Sequence, residues 1–163
     1  MNITRILAID YGTRRIGLAL GDDVTRLAGP LDRLEGLSDA RAVERIAAIV
    51  GAESVGLIVV GLPLHMDGSS SAQTNRTVGF ARALAGAVNV PVVCVDERLS
   101  SFSAEQNLLE QRRAGQKLTR GQKRSRIDAL AATHILQAYL DGQAKAIAID
   151  DPAISTVTPG ERG

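Results

Sequence analysis

The stretch Ile6-Leu-Ala-Ile-Asp10-Tyr-Gly-Thr-Arg-Arg-Ile-Gly-Leu-Ala-Leu20 constrains the fold most, because two apolar runs flank a turn that carries a carboxylate. Short β-branched-rich runs around a Gly-containing turn predict a β-hairpin. Gly12 is expected to supply a positive φ to a tight connection, which leaves Asp10 on the last pleat of its strand at the rim of a sheet. A rim carboxylate either holds a divalent cation or serves the turn as an Asx residue, and the hairpin alone does not choose between them.

Downstream of the hairpin, helical and strand periodicity alternate. Leu27 to Leu34 reads as a third strand, and Gly29 and Pro30 favour an edge position for it. Ser38-Asp39 offers an N-cap and a first-turn acid to a helix carrying Val43, Ile46, Ala47 and Val50 at helical spacing. Val55 to Val60 is a near-continuous apolar run of the kind covered on both faces, stopped by Gly61 and Pro63. Ser69-Ser-Ser71 caps a second helix with Val78, Ala81, Leu84 and Val88 as its stripe, and Pro91 to Val95 forms another buried strand that ends on Asp96-Glu97. A further helix is expected from about Ser101. Thr119-Arg-Gly-Gln122 has capping-box spacing and should open a last helix to about Leu140. The pattern predicts an α/β fold with a mixed sheet, three antiparallel strands and then alternating helices and strands, with helices on both faces. A single domain over 1–141 and a flexible tail over 142–163 complete the expected organisation.

Composition narrows the function classes. At 163 residues the chain fits one domain with a real core, and 45% hydrophobic against 23% charged residues suits a globular protein with no run of membrane-spanning length. Met1-Asn-Ile-Thr-Arg5 enters the first strand without a secretory type of leader, so a cytoplasmic location is expected. Cys94, the only cysteine, lies in an apolar run as a buried thiol, which excludes disulfides and zinc clusters. The net charge of +1 hides a basic run of Arg112, Arg113, Lys117, Arg120, Lys123, Arg124 and Arg126 with no acid among them. Such a run is either a solvated stretch or an anion-binding surface, and its position just before an acid in an apolar helix favours the second.

Three acids carry the candidate chemistry. Asp10 and Glu97 sit at carboxyl ends of strands, where open sheets form their sites. Asp128 lies among Ile127, Ala129, Leu130, Ala131 and Ala132, where a core-facing acid is costly without a cation or donor; facing solvent, it would pair with Arg124 one turn earlier. Oxygen donors converging from two strand ends and a helix suit magnesium or manganese better than zinc. A pair of such ions could activate water and stabilise the leaving oxygen of a phosphodiester.

The segments Asp10-Tyr-Gly-Thr-Arg-Arg-Ile-Gly-Leu-Ala19, Gly61-Leu-Pro-Leu-His-Met-Asp-Gly-Ser69, Asp96-Glu-Arg-Leu-Ser-Ser101 and Asp128-Ala-Leu-Ala-Ala-Thr-His-Ile-Leu-Gln-Ala-Tyr-Leu140 together resemble the YqgF family. The likeness runs in order from about Ile6 to Leu140. It implies an RNase H-like fold and a nuclease, since members are named as Holliday junction resolvases or pre-16S rRNA nucleases. By that resemblance Asp10, Glu97 and Asp128 are catalytic and hold two magnesium or manganese ions. Strand alternation puts Asp96 and Glu97 on opposite faces, so only one of them reaches the metals unless the strand has ended or bulged between them, and the resemblance makes Glu97 that ligand. Arg98 is then a phosphate contact or a brace, or a simple partner of Asp96. Arg14, Arg98, Arg112, Arg113, Lys117, Arg120, Lys123 and Arg124 make up the expected nucleic-acid contacts, with His65 in the Gly61–Ser69 loop as a further substrate contact. Two small departures, Gly21 before Asp22 for the usual Ser and Ser100 for a usual Thr, leave every carboxylate in place.

Rival readings start from the same residues. Asp-x-Gly-Thr before a second apolar strand also resembles the phosphate loop of actin-like ATPases, which need two such domains where this length supplies one. An inert RNA-binding module is a reading of another class, and divalent-dependent turnover separates the two. Aromatics at 2% leave few stacking platforms, so recognition should rest on phosphate and shape. Processing of the pre-16S rRNA 5′ end is expected over junction resolution in branched DNA, because no segment stands out as a dimer seam and the oligomeric state stays open.

Overall fold

The computed structural model describes residues 3–98 and 120–151, and from 120 to 128 the helix backbone alone. Strand β1 (Arg5–Tyr11) turns into β2 (Arg15–Asp22), antiparallel with Asp10 opposite Gly17, and β3 (Ala28–Glu35) continues the meander along the edge. Helix α1 (Asp39–Ala52) leads to β4 (Val55–Leu62), parallel to β1, and α2 (Ala72–Ala87) leads to β5 (Val92–Asp96), parallel to β4. Helix α3 (Arg120–Leu140) and a short β6 (Ala146–Ala148) complete the order. Across the sheet the strands run β3-β2-β1-β4-β5-β6.

Local chemistry accounts for the helix starts. The Ser38 hydroxyl accepts from the Arg41 N–H at 3.3 Å with Asp39 in the first turn, so a free N–H is satisfied and the helix dipole meets a negative charge. Ser71 and Thr74 form a reciprocal capping box at α2. Of the expected stripe of α1, Val43, Ile46 and Val50 are buried, joined by Ala42, while Ala47 is only partly buried.

The sheet divides two cores of different texture. On one face Leu7, Ile9 and Tyr11 of β1 and Ile58, Val60 and Leu62 of β4 pack with Ile46, Phe80 and Leu84 of α1 and α2. On the other, Ile6, Ala8, Ala19, Val59 and Val95 meet Ala132, Ile135, Leu136 and Leu140 of α3. Small residues on that second face let α3 lie close to the sheet. Among the described residues no helix is long and apolar enough to cross a membrane.

Two expectations need correction. Gly12 does not take a positive φ, and among the described residues the left-handed glycines are Gly36, Gly68 and Gly142. Gly12 is required for space, because a Cβ there would stand 2.6 Å from the Arg15 carbonyl oxygen. The segment after Leu140 is not a tail from its start: Gly142 turns the chain at φ 76, Ala144 is buried against the α3 core, and Ala146–Ala148 pairs with the free edge of β5. Three residues are too short to show a strand period, and only an open neighbouring edge recruits them. The helix expected from about Ser101 and the rest of the proposed tail, beyond 151, lie outside the described residues.

Candidate active site

Strand alternation assembles the site. On β1, Ile6 and Ala8 face α3, and Asp10 comes two residues further along. Val59 of β4 is succeeded on the same face by Gly61, and Val95 of β5 by position 97. The Glu97 N–H donates to the Leu62 carbonyl at 3.2 Å, which carries sheet pairing one residue past the end of β5 and keeps the alternation intact. The carboxyl groups of Asp10 and Glu97 hydrogen-bond to each other across the strand ends. Burial first, then the Asp10 charge and that hydrogen bond, push the Glu97 carboxyl up to about 8.

Gly61 makes this meeting possible. A Cβ at that position would lie 2.9 Å from Glu97 Oε2 and collide with Ile135 Cδ1, so only a glycine floor admits both the carboxylate and the helix. Sequence reading treats Gly61 merely as a strand stop.

Asp96, on the other face, is occupied structurally. Arg98 Nε donates to its two carboxylate oxygens at 3.0 and 2.8 Å, and the Arg98 N–H donates to Oδ1 at 3.0 Å. Burial raises the Asp96 pKa, but the hydrogen bonds and charge of Arg98 outweigh it and hold the carboxyl below its ordinary value. Arg98 Nη1 also donates to the carbonyls of His65 at 3.4 Å and Met66 at 3.0 Å. Of the roles weighed for Arg98, the brace and the partner of Asp96 are thus both visible. The loop it grips closes through a Leu64–Ser70 bridge, the Asp67 carboxylate accepting from Ser69, and Gly68 at φ 87. Thr74 Oγ1 ties its start down by donating to the Pro63 carbonyl. His65 is exposed on this loop, and its backbone serves the turn.

Tyr11 is the supporting residue that sequence reasoning missed. Its hydroxyl donates to Asp39 at 2.8 Å, and its ring stacks on Phe80 with centroids 4.4 Å apart. Burial and the Asp39 hydrogen bond push the phenol up to about 12. The available signal was scarcity: with two Tyr, two Phe and no Trp in the chain, a Tyr directly after the key carboxylate is conspicuous. Beyond it, a cavity of about 230 Å³ lies against the β1–β2 turn, lined by Asp10, Tyr11, Gly12, Thr13, Arg14 and Arg15.

Two of the three expected acids are therefore seen together. Asp128 is placed only by its backbone on α3, four residues before Ala132 and seven before Ile135, both buried against the sheet. Among the described residues no group of three potential metal-binding side chains occurs. Of the expected basic contacts, Arg112, Arg113 and Lys117 lie outside the described residues, and Arg120, Lys123 and Arg124 lie on the first turns of α3, described as backbone.

Comparison with known proteins decides the family. The family model described as "RuvX: Holliday junction resolvase" matches residues 4–142. A protein of Anaeromyxobacter sp. (strain Fw109-5) named "Putative pre-16S rRNA nuclease" is 47% identical over 139 residues, covering 85% of this chain and 98% of its own. The chain belongs to the RuvX (YqgF) family. A relative of the same name from Pelotomaculum thermopropionicum is 42% identical over 143 residues, 86% of this chain and 89% of its own. Beyond RuvX, the solved structure of T. thermophilus RuvC in complex with a Holliday junction substrate superposes with a TM-score of 0.55 at 17% identity, over 88% of this chain and 99% of that one. That likeness identifies the RuvX fold here as RNase H-like.

Proposed function

We propose that this RuvX protein is a divalent-metal-dependent nuclease that hydrolyses phosphodiester bonds of RNA in the cytoplasm, at the 5′ end of pre-16S rRNA. The observation that carries this reading is the Asp10–Glu97 pair at the carboxyl ends of β1 and β5. Two half-buried carboxyls in mutual hydrogen-bond contact repel once both ionise, and a hard cation in place of the shared proton would remove that cost. The donor set fits magnesium or manganese, with Asp10, Glu97 and Asp128 as the holding residues. Helical spacing from Ala132 and Ile135 supports Asp128 as the third.

When bound, a pair of such ions would supply activation of water and stabilisation of the leaving oxygen. The chain does the rest. Its glycine floor at Gly61 and the buried α3 core hold Glu97 in one position, and the Tyr11 anchor holds the end of β1. Arg98, gripped by Asp96, keeps the 63–70 loop in place at the strand ends. Arg112, Arg113, Lys117, Arg120, Lys123 and Arg124 would contact phosphates, which gives affinity without base preference. The names of the relatives support the RNA substrate.

The family model's own description favours a second reading, resolution of four-way DNA junctions. Turnover separates the two: a precursor rRNA end, generic RNA and DNA strands and a mobile junction are compared at one salt and one manganese concentration. RNA cleavage should dominate. Symmetric junction cuts by a dimeric protein, with RNA untouched, would replace the rRNA reading by the resolvase one. Binding without turnover in any divalent metal would leave an inert nucleic-acid module.

A further inference from the structure

The β1–β2 turn is more elaborate than a hairpin needs. Its backbone is held by two hydrogen bonds from outside the turn, the Arg14 carbonyl accepting from the Gly36 N–H at 3.1 Å and the Tyr11 carbonyl from Gln73 Nε2 at 3.3 Å, and it is packed so closely that a Cβ at Gly12 would stand 2.6 Å from the Arg15 carbonyl oxygen. Around this fixed backbone lies the cavity of about 230 Å³, several times the roughly 30 Å³ that one water takes up in the liquid. Its lining holds a single carboxylate, Asp10, and two guanidinium side chains beside the Thr13 hydroxyl. Thr13 and Arg14 are exposed and make no side-chain hydrogen bond or ion pair among the described residues. Nothing in the turn's own structure uses the Thr13 and Arg14 donors.

Donors set on a rigid turn beside a carboxylate site suit an anion rather than a second cation. We infer that Thr13 and Arg14 bind the non-bridging oxygens of the phosphate next to the scissile one, so that the β1–β2 turn sets the register of the nucleic-acid strand over Asp10 and Glu97. This rests on the nuclease reading. The ligand class is the charged sugar-phosphate backbone, with Arg14 supplying a planar fork and Thr13 a hydroxyl donor. Such a contact positions the strand and carries no base information. Because the turn and Asp10 belong to one strand end, losing the contact should shift the scissile bond over the carboxylates and lower kcat as well as raise KM.

The test is a cycle between protein and substrate. RNA oligomers carry a single neutral methylphosphonate on one side or the other of the mapped cleavage site, and kcat/KM is measured for the wild type, Thr13→Val, Arg14→Ala and Arg14→Lys. At one of the two flanking linkages the neutral group should cost the wild type about tenfold. It should cost Arg14→Ala less than about twofold, because the contact is already gone, with Arg14→Lys and Thr13→Val in between. Thermal midpoints of all the variants should match the wild type, since both side chains are exposed. An equal loss in wild type and Arg14→Ala, or no loss at either linkage, overturns the inference while leaving the nuclease standing. Absence of cleavage in any divalent metal overturns the nuclease reading and this inference with it.

Discussion

The two faces of the sheet use the same strands for opposite ends. Toward α1 and α2 the alternating positions of β1 run Leu7, Ile9, Tyr11, and the strand ends in a ring stacked on Phe80 and a hydroxyl bonded to Asp39. Toward α3 they run Ile6, Ala8, Asp10, and the strand ends in a carboxylate. The same division recurs across the sheet, with Leu62 and Asp96 on one side and Gly61 and Glu97 on the other. Adjacent residues thus separate anchoring from chemistry. Large side chains on the first face fix the strand ends, while small ones on the second leave room for acids beneath a helix.

The comparison breaks most visibly at the carboxylates. Asp10→Asn and Glu97→Gln should each lower divalent-dependent turnover about 10³-fold or more with the fold retained, whereas Asp96→Asn on the opposite face should cost far less. Steady-state cleavage of one RNA oligomer checks this. Near-normal turnover in Glu97→Gln with loss in Asp96→Asn would exchange the roles of the two faces.

Gly61→Ala tests the floor while leaving every carboxylate's chemistry unchanged. The added methyl meets Glu97 Oε2 and Ile135 Cδ1, so Glu97 must move. A loss of about 10- to 100-fold in kcat is expected from such a displacement, with a smaller loss of stability than a core truncation brings. Unchanged kcat would show that the position of Glu97 is not critical.

The pH dependence of stability addresses the acid pair directly. Glu97 is raised from an ordinary 4.5 to about 8 in the folded protein, so the native state keeps a proton that the unfolded chain releases. Its contribution is complete below about 4.5 and is lost as pH climbs toward 8. Metal-free Glu97→Gln should therefore outlast the wild type at pH 8 by about 1–3 kcal/mol in denaturant titrations, and the gap should close near pH 5. Manganese should stabilise the wild type at pH 8 and leave Glu97→Gln nearly unmoved.

On the anchoring face the expected effect is smallest and of another kind. Tyr11→Phe removes the hydrogen bond to Asp39 but keeps the stacked ring, and should cost about 1–2 kcal/mol in unfolding free energy with turnover within about threefold of wild type. A large kcat effect with no stability loss would mean that this face shares in the chemistry.

Much of this architecture is written in local periodicity. Short apolar runs, helical spacing, the Ser38 and Ser71 caps and the edge-marking Pro30 were enough to order the elements, and the motif likeness pointed to the family that the comparisons then established. Alternation also separates Asp96 from Glu97 before any coordinate is known, because a strand's side-chain period is a property of its own backbone. Partnership between distant segments is not local and only the tertiary structure decided it: that Glu97 reaches Asp10, that Gly61 is a floor under Ile135, that Gly12 is needed for space near Arg15 rather than for its φ, that Arg98 grips the 63–70 loop, and that Ala146–Ala148 closes the sheet on β5. Each of these depends on which strands and helices become neighbours. A sequence period specifies the face a side chain takes, while the atoms waiting on that face are supplied by residues tens of positions away.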